Sequence, residues 1–200
     1  MYKVAVRRIN EWDGPAMLKI YEPYVQNTIA FDSVLPALPD YVNFIDKYTY
    51  GMGWLTCEID NTPAGFCYIT ENADNPTDIF SPSVDIQLFV KEEFQHRGVG
   101  KALYSLMIDI MQYGNRREVF ARILLPNDKA VSFHKALGFE VVRTDKESFK
   151  KFDKLHDVLI MRRTLSPYNP NAEKVTKPYL IENADYEAAR EYAATLVRDI

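Results

Sequence analysis

Between an apolar extended run, Val84-Asp85-Ile86-Gln87-Leu88-Phe89-Val90, and a helical stretch with Val99, Leu103, Leu106 and Ile110 on one face, the chain carries Gln95-His96-Arg97-Gly98-Val99-Gly100-Lys101. A strand that turns through this basic, glycine-punctuated segment into a helix sets the helix N-terminus beside the strand end. That N-terminus brings unpaired N–H groups and a partial positive charge. Gly98 and Gly100 let backbone N–H groups approach an anion closely. The segment therefore reads as a diphosphate cradle inside an α/β layer.

Two other glycine-rich loops are excluded by residue identity. A dinucleotide-binding turn needs a third glycine where Leu103 stands, and a Walker A loop needs Ser or Thr where Ala102 follows Gly100-Lys101. Gln-x-x-Gly-x-Gly remains.

The rest of the chain supplies the layer. Lys3 to Ile9 reads as a strand, and Asp13 with Pro15 opens a helix whose Leu18, Tyr21 and Val25 share a face. A helix over about Asp40 to Tyr48 follows. Gly53 to Ile59, Gly65 to Thr70 and Val84 to Val90 read as an antiparallel meander. The helix from Gly98 stops at Gly114; Val119 to Leu125 is a strand, and Asn127 to Leu137 a short helix ended by Gly138. Phe139 to Thr144 and His156 to Arg163 are the last strands expected. After Leu165 a proline-rich polar stretch leads to an alanine-rich helical one, with Tyr186, Ala189, Tyr192 and Leu196 as its apolar stripe. The expected organisation is one domain over residues 1–165 and a C-terminal arm and helix over 166–200.

Gln95-x-x-Gly98-x-Gly100 after an apolar strand resembles the pyrophosphate loop of the GCN5-related N-acetyltransferases (GNAT). Asn127, Ala130, Phe133, His134, Gly138 and Phe139 resemble that family's downstream Asn-x-x-Ala…Gly-Phe block, with His134 where tyrosine is usual. Ile20-Tyr21, Tyr24-Val25, Thr28 and Phe31, then Leu125-Pro126-Asn127-Asp128, then Phe149-Lys150 and His156-Asp157-Val158 are similar to its phosphinothricin acetyltransferase-like branch. Ser148 and Leu155 depart from the branch's glycine and tryptophan. The resemblance implies an α/β (α+β) GNAT fold: a mixed, mostly antiparallel, twisted sheet of about six or seven strands flanked by about four helices, plus a C-terminal helix.

It also implies acetyl-CoA as co-substrate and an enzyme, an N-acetyltransferase acting on the primary amine of a small amino-acid-like molecule, of which phosphinothricin and methionine sulfoximine are types. His96, Arg97, Gly98, Val99, Gly100 and Lys101, with Gln95, are expected around the diphosphate. Leu88, Phe89 and Val90 are expected along the pantetheine arm, one of them lending a backbone N–H to the thioester oxygen. Asn127 is expected either to contact the pantetheine or to cap its helix, and the two roles can coexist. Asp85 is the candidate general base, with an ion-paired structural role as its alternative; His134 is the candidate proton donor to the departing thiolate, or else a surface histidine. Phe31 and Lys150 are expected on the acceptor side. His156 and Asp157, adjacent on a strand, point to opposite faces and cannot assist each other.

Composition narrows the partners. The formal charge is −4 with dispersed basic residues, so neither nucleic acid nor an anionic membrane is an expected partner. The start, MYKVAVRRI, is too short and charged for a signal peptide, no apolar run reaches the ~20 residues of a membrane span, and a cytoplasmic protein is expected. Cys57 and Cys67 have no metal-ligand spacing, read as small buried hydrophobes, and no metal is expected. A homodimer is common in the branch. A protein or peptide N-acetyltransferase, and a non-catalytic acyl-CoA-binding module, are the alternative functions.

Overall fold

The structure is a computed structural model that describes residues 2–49, 52–74, 81–169, 171, 173–181 and 183–198. Strands β1 (Val4–Arg8), β2 (Trp54–Ile59), β3 (Thr62–Glu71), β4 (Ser83–Val90), β5 (Glu118–Leu124), β6 (Glu140–Lys151) and β7 (Lys154–Thr164) form one sheet in the order β1-β2-β3-β4-β5-β7-β6. All neighbours are antiparallel except β4 and β5. That parallel pair is bridged by helix α3 (Val99–Tyr113), the crossover that parallel neighbours require.

The remaining helices are α1 (Gly14–Val25), α2 (Leu38–Thr49), α4 (Asp128–Ala136) and α5 (Asn183–Thr195). They sort onto two faces through the alternation of β4. A Cβ on Gly100 of α3 would lie 3.1 Å from the Leu88 side chain, whereas neighbouring Phe89 packs edge-on against Tyr21 and Tyr24 of α1. Successive strand residues point to opposite faces, so α3 and α1 cover opposite sides of the sheet.

The α1/α2 side is held by aromatic rings. Trp54 stacks on its cross-strand partner Tyr68 with centroids 4.1 Å apart, and Phe44 closes over both edge-on. The α3 side is aliphatic, with Ala102, Leu103, Leu106 and Met107 fully buried. Cys57 and Cys67 are free and buried in the adjacent strands β2 and β3. Burial pushes the Cys57 thiol up to about 12 and Cys67 well above its usual range, which leaves both protonated and unreactive.

Three features differ from the sequence reading. β6 and β7 are longer than expected and meet at Phe152-Asp153, whose φ values of 49° and 58° suit a two-residue hairpin turn. Their charged segment, Asp145 to Lys151, lacks the apolar alternation that marks a strand, because most of it faces solvent. β3 begins at Thr62, ahead of the expected Gly65. On α5 the buried stripe is Tyr186, Ala189 and Ala193, while Tyr192 is 59% exposed. The helix lies on α3 and β1, with the Arg8 guanidinium 4.1 Å over the Tyr186 ring.

Trp54→Ala is expected to lower unfolding free energy by about 3–5 kcal/mol, measured by urea denaturation, because it empties the centre of the aromatic layer. A loss below about 1 kcal/mol would mean that the layer collapses onto the vacancy and does not hold the sheet.

Candidate active site

β4 and β5 pair only at Ser83–Asp85 with Glu118–Phe120, although β4 continues to Val90 and β5 to Leu124. Beyond Asp85 the two strands separate. The gap opens into a cleft of about 760 Å³ whose walls include Ile86 to Val90 on one side and Ala121 to Ile123 on the other. The cleft continues over Gln95, His96, Gly98, Gly100 and Lys101 and along Asn127, Ala130, Phe133 and His134.

The far end of β4 is held open by a clasp. The Tyr24 hydroxyl donates to the Val90 carbonyl, the Val90 N–H meets the same hydroxyl at 3.3 Å, and the Gln95 amide donates to both oxygens at 3.1 and 3.3 Å. These side chains satisfy backbone groups that β5 would otherwise take. Lys91 N–H bonds Ala64 on β3, and ladder bonds alternate, so the N–H of Leu88 faces the cleft. With Val90 clasped, Leu88 is the strand's N–H donor at mid-cleft. Gln95 and Val90 thus hold the wall as well as line it.

In the loop, His96 and Gly98 both have positive φ, 62° and 89°, a curl that turns successive N–H groups inward. Gly100 serves a second purpose, since a Cβ there would also press on the Phe133 ring at 3.3 Å and push α3 away from α4. Lys101 lines the cleft. Arg97 and Val99 do not: the Arg97 guanidinium sits 5.5 Å from the Phe94 ring, and the Val99 side chain is core. For those two residues only the backbone is at the loop. The Asn127 Oδ1 accepts from Ala130 N–H at 3.1 Å, capping α4, while the residue also lines the cleft. Its amide NH₂ is the part left for a ligand.

His134 is 7% exposed, not on the surface. Its Nδ1 lies 2.8 Å from the Ala130 carbonyl, which only accepts, so Nδ1 carries a proton. Burial lowers its pKa, leaving the ring neutral; Nε2 is then an acceptor and takes the Tyr104 hydroxyl proton at 2.8 Å. His134 at rest has no proton on the nitrogen nearest Tyr104. The sequence reading missed Tyr104, whose hydroxyl on an otherwise apolar helix face requires a partner. It stands one turn after Gly100 and lines the cleft.

Asp85 is 4% exposed and held by three donors: Asn72 at 3.2 Å, the Ala73 N–H at 3.0 Å and Arg122 Nε at 2.9 Å. Arg122 also pairs with Asp74 and lines the cleft, standing at its floor on β5. Burial pushes the Asp85 carboxyl upward, the Arg122 guanidinium pulls it back, and the net direction is up. A carboxylate has about four acceptor positions, so one remains on Oδ1. Asp85 is thus ion-paired, as its structural reading expects, and it lies behind Arg122, not among the residues that line the cleft.

Neither acceptor-side candidate lines the cleft. Phe31 packs edge-on against Phe149 at 5.0 Å in a small apolar cluster with Leu124, Val158 and Ile160. Lys150 is exposed and pairs with Asp153 at 3.2 Å; strand alternation turns it away from the face that carries Phe149. The buried lysine is the next one, Lys151, whose Nζ donates to the Ala30 carbonyl at 2.6 Å and ties the hairpin to the segment after α1. His156 and Asp157 do not meet, and Asp157 accepts from Lys146 and the Glu147 N–H to brace the hairpin. Among the described residues no helix is long and apolar enough to cross a membrane, and no cluster could hold a metal ion.

The buried neutral imidazole has a consequence for stability. The unfolded chain takes up a proton as pH falls through about 6.5, whereas folded His134 stays neutral to lower pH, so stability is complete above that value and declines below it. Urea midpoints at pH 8 and pH 5 are expected to differ more in the wild type than in His134→Gln, whose amide oxygen can still accept from Tyr104. Equal differences would show that the ring is already charged in the folded state.

Comparison with known proteins places these features in a family. The family model "Acetyltransferase (GNAT) domain" matches residues 6–160. A phosphinothricin N-acetyltransferase of Streptomyces viridochromogenes is 26% identical over 162 residues, covering 80% of this chain and 87% of that protein. Among solved structures, a phosphinothricin acetyltransferase from Sinorhizobium meliloti in complex with acetyl-CoA superposes with a TM-score of 0.75 at 19% identity, over 88% of this chain and 98% of that one. A ribosomal-protein-alanine N-acetyltransferase from Brucella melitensis gives 0.74 at 24% identity, over 80% and 98%. With one family model running through the separated strands, the glycine loop and the helix of Asn127 and His134, this protein belongs to the GNAT acetyltransferases and is an acyl-transferring enzyme.

Proposed function

We propose that this enzyme transfers acetyl from acetyl-CoA to the primary amine of a small amino-acid-like molecule by direct attack. The observation that carries the reading is the early separation of β4 from β5 immediately beside the loop 95–101. The cleft suits the co-substrate in two ways. Its loop end offers inward N–H groups with Lys101 and Lys129 for phosphates, and its strand walls offer apolar sides and unpaired backbone groups for an amide-bearing arm. Acetyl-CoA supplies a thioester carbonyl.

The chain's own residues then have distinct tasks. The Leu88 N–H stabilises the carbonyl oxygen as it becomes negative, a contribution of about 3 kcal/mol for a well-placed donor. As the amine nitrogen bonds to the carbonyl carbon it loses a proton, which passes through water to Asp85 behind the cleft wall; the upward-shifted carboxyl is the better base for it. The C–S bond breaks, sulfur keeps the electron pair, and the Tyr104 hydroxyl supplies a proton to it. His134 stays neutral and holds that hydroxyl in place, and the tyrosinate left behind regains its proton from solvent. Arg122 keeps Asp85 oriented and presents positive charge to the cleft floor, where a carboxylate or phosphinate of the acceptor suits it. The acceptor class is supported by the likeness to phosphinothricin N-acetyltransferases.

Thiol release from acetyl-CoA, followed with phosphinothricin, methionine sulfoximine, free amino acids, polyamines and short peptides, tests the reading. Release with an amino acid or its analogue is expected; release with peptides alone would move the enzyme to the protein-acetylating class, and acetyl-CoA binding without release would make it a binding module. Tyr104→Phe is expected to lower kcat about 100-fold with little change in KM for acetyl-CoA. Unchanged kcat would remove Tyr104 from the proton path. Asp85→Asn is expected to lower kcat and displace the alkaline-rising limb of the pH profile, and a limb left in place would leave water as the only base.

A further inference from the structure

The family match ends at residue 160, yet a later segment reaches the same cleft. Helix α5 is anchored by Tyr186, Ala189 and Ala193, buried against β1 and α3, and its last residue Thr195 and the segment after it bring Leu196 and Arg198 into the cleft wall beside Gln95, His96 and Gly98. The contact is made through backbone. The Arg198 N–H donates to the Arg97 carbonyl at 2.8 Å, and the Leu196 carbonyl lies only 2.1 Å from where a Cβ on Gly98 would be. Gly98 is therefore required twice, by its φ of 89° and by the strand of chain lying on it.

The charges in the wall explain what this contact is for. Arg97 is the loop's arginine, but its guanidinium lies 5.5 Å from the Phe94 ring and is not among the groups that line the cleft. Arg198 is exposed and lines the cleft beside the loop, its N–H on the Arg97 carbonyl. A CoA molecule carries a diphosphate and a ribose phosphate; the latter alone brings about −1.5 to −2 charges at neutral pH. Lys101 and Lys129 are the lysines that line the cleft.

Resting on the acetyl-CoA reading above, we propose that the segment Thr195 to Arg198 is part of the co-substrate site and that Arg198 binds a phosphate of CoA. The segment that follows α5 is then a built-in wall of the phosphate end. It carries a binding residue that lies outside the family's matched region.

The test is calorimetric titration of the 200-residue protein and its Arg198→Ala, Arg198→Glu and Arg198→Lys variants with acetyl-CoA and with dephospho-CoA. Arg198→Ala is expected to bind acetyl-CoA about tenfold more weakly, the usual worth of one charge-assisted hydrogen bond. Arg198→Glu should bind more weakly still and Arg198→Lys near wild-type, all at unchanged melting temperature, since the Arg198 backbone bond survives each substitution. If the loss disappears with dephospho-CoA the phosphate is the ribose one, and if it persists it is the diphosphate; either supports the assignment. Equal affinities across the series, with wild type binding, would overturn it. So would tighter binding by Arg198→Ala, which would make the segment a cover over the loop. A wild type that binds no acetyl-CoA would instead sink the co-substrate reading itself, and this inference with it.

Discussion

Everything chemical in this molecule depends on two neighbouring strands that stop bonding to each other after three residues. A strand edge inside a sheet carries unpaired N–H and C=O groups, and leaving them so is costly unless something else takes them. Here Tyr24, 66 residues before it, and Gln95, five residues after it, take those of Val90. The groups between Val90 and the paired segment are left facing the cleft. An edge that would be a liability on the outside of a protein becomes, in the middle of one, a ready line of donors and acceptors for an extended amide-bearing ligand.

The same economy governs the polar groups around the notch. Asp85 is buried and Arg122 half-buried beside it, and an isolated member of such a pair would be costly, so each is bonded to further partners: Asn72 and Ala73 for the carboxylate, Asp74 for the guanidinium. Tyr104 and His134 solve the same problem with a neutral pair, since a hydroxyl and an imidazole with one ring nitrogen already bonded to a carbonyl leave no buried charge. Both pairs are held as structural units. Their burial positions the groups, and burial also shifts their proton affinities, Asp85 upward and His134 downward.

Much of the fold and half of the site were legible in the sequence. The meander, the crossover helix ending at Gly114 and the strand-loop-helix around Gly98 follow from periodicity and glycine placement, and Asn127 was readable both as cap and as cleft residue. The charged half of β6 was not, because a strand exposed to solvent loses the alternation by which strands are recognised. Tyr192 looked like part of the α5 stripe by spacing, but Ala193 is the residue that fits between α5 and the domain, a choice that depends on how close two helices approach. Lys150 and Lys151 differ only by the phase of a strand, which two irregularities in the β6–β7 register decide.

What the sequence determined by itself was local: which stretches are strands and helices, that a glycine loop opens α3, and which residue types could do acyl transfer. The partnerships were decided only by the tertiary structure. Tyr24 meets Val90 across 66 residues, Tyr104 meets His134 across 30, and α5 returns to lie on Gly98. Such contacts leave little trace in a single chain because each partner, taken alone, is an ordinary side chain on an ordinary element. Their chemistry exists only once packing has brought them within hydrogen-bond distance and excluded the water that would otherwise satisfy them.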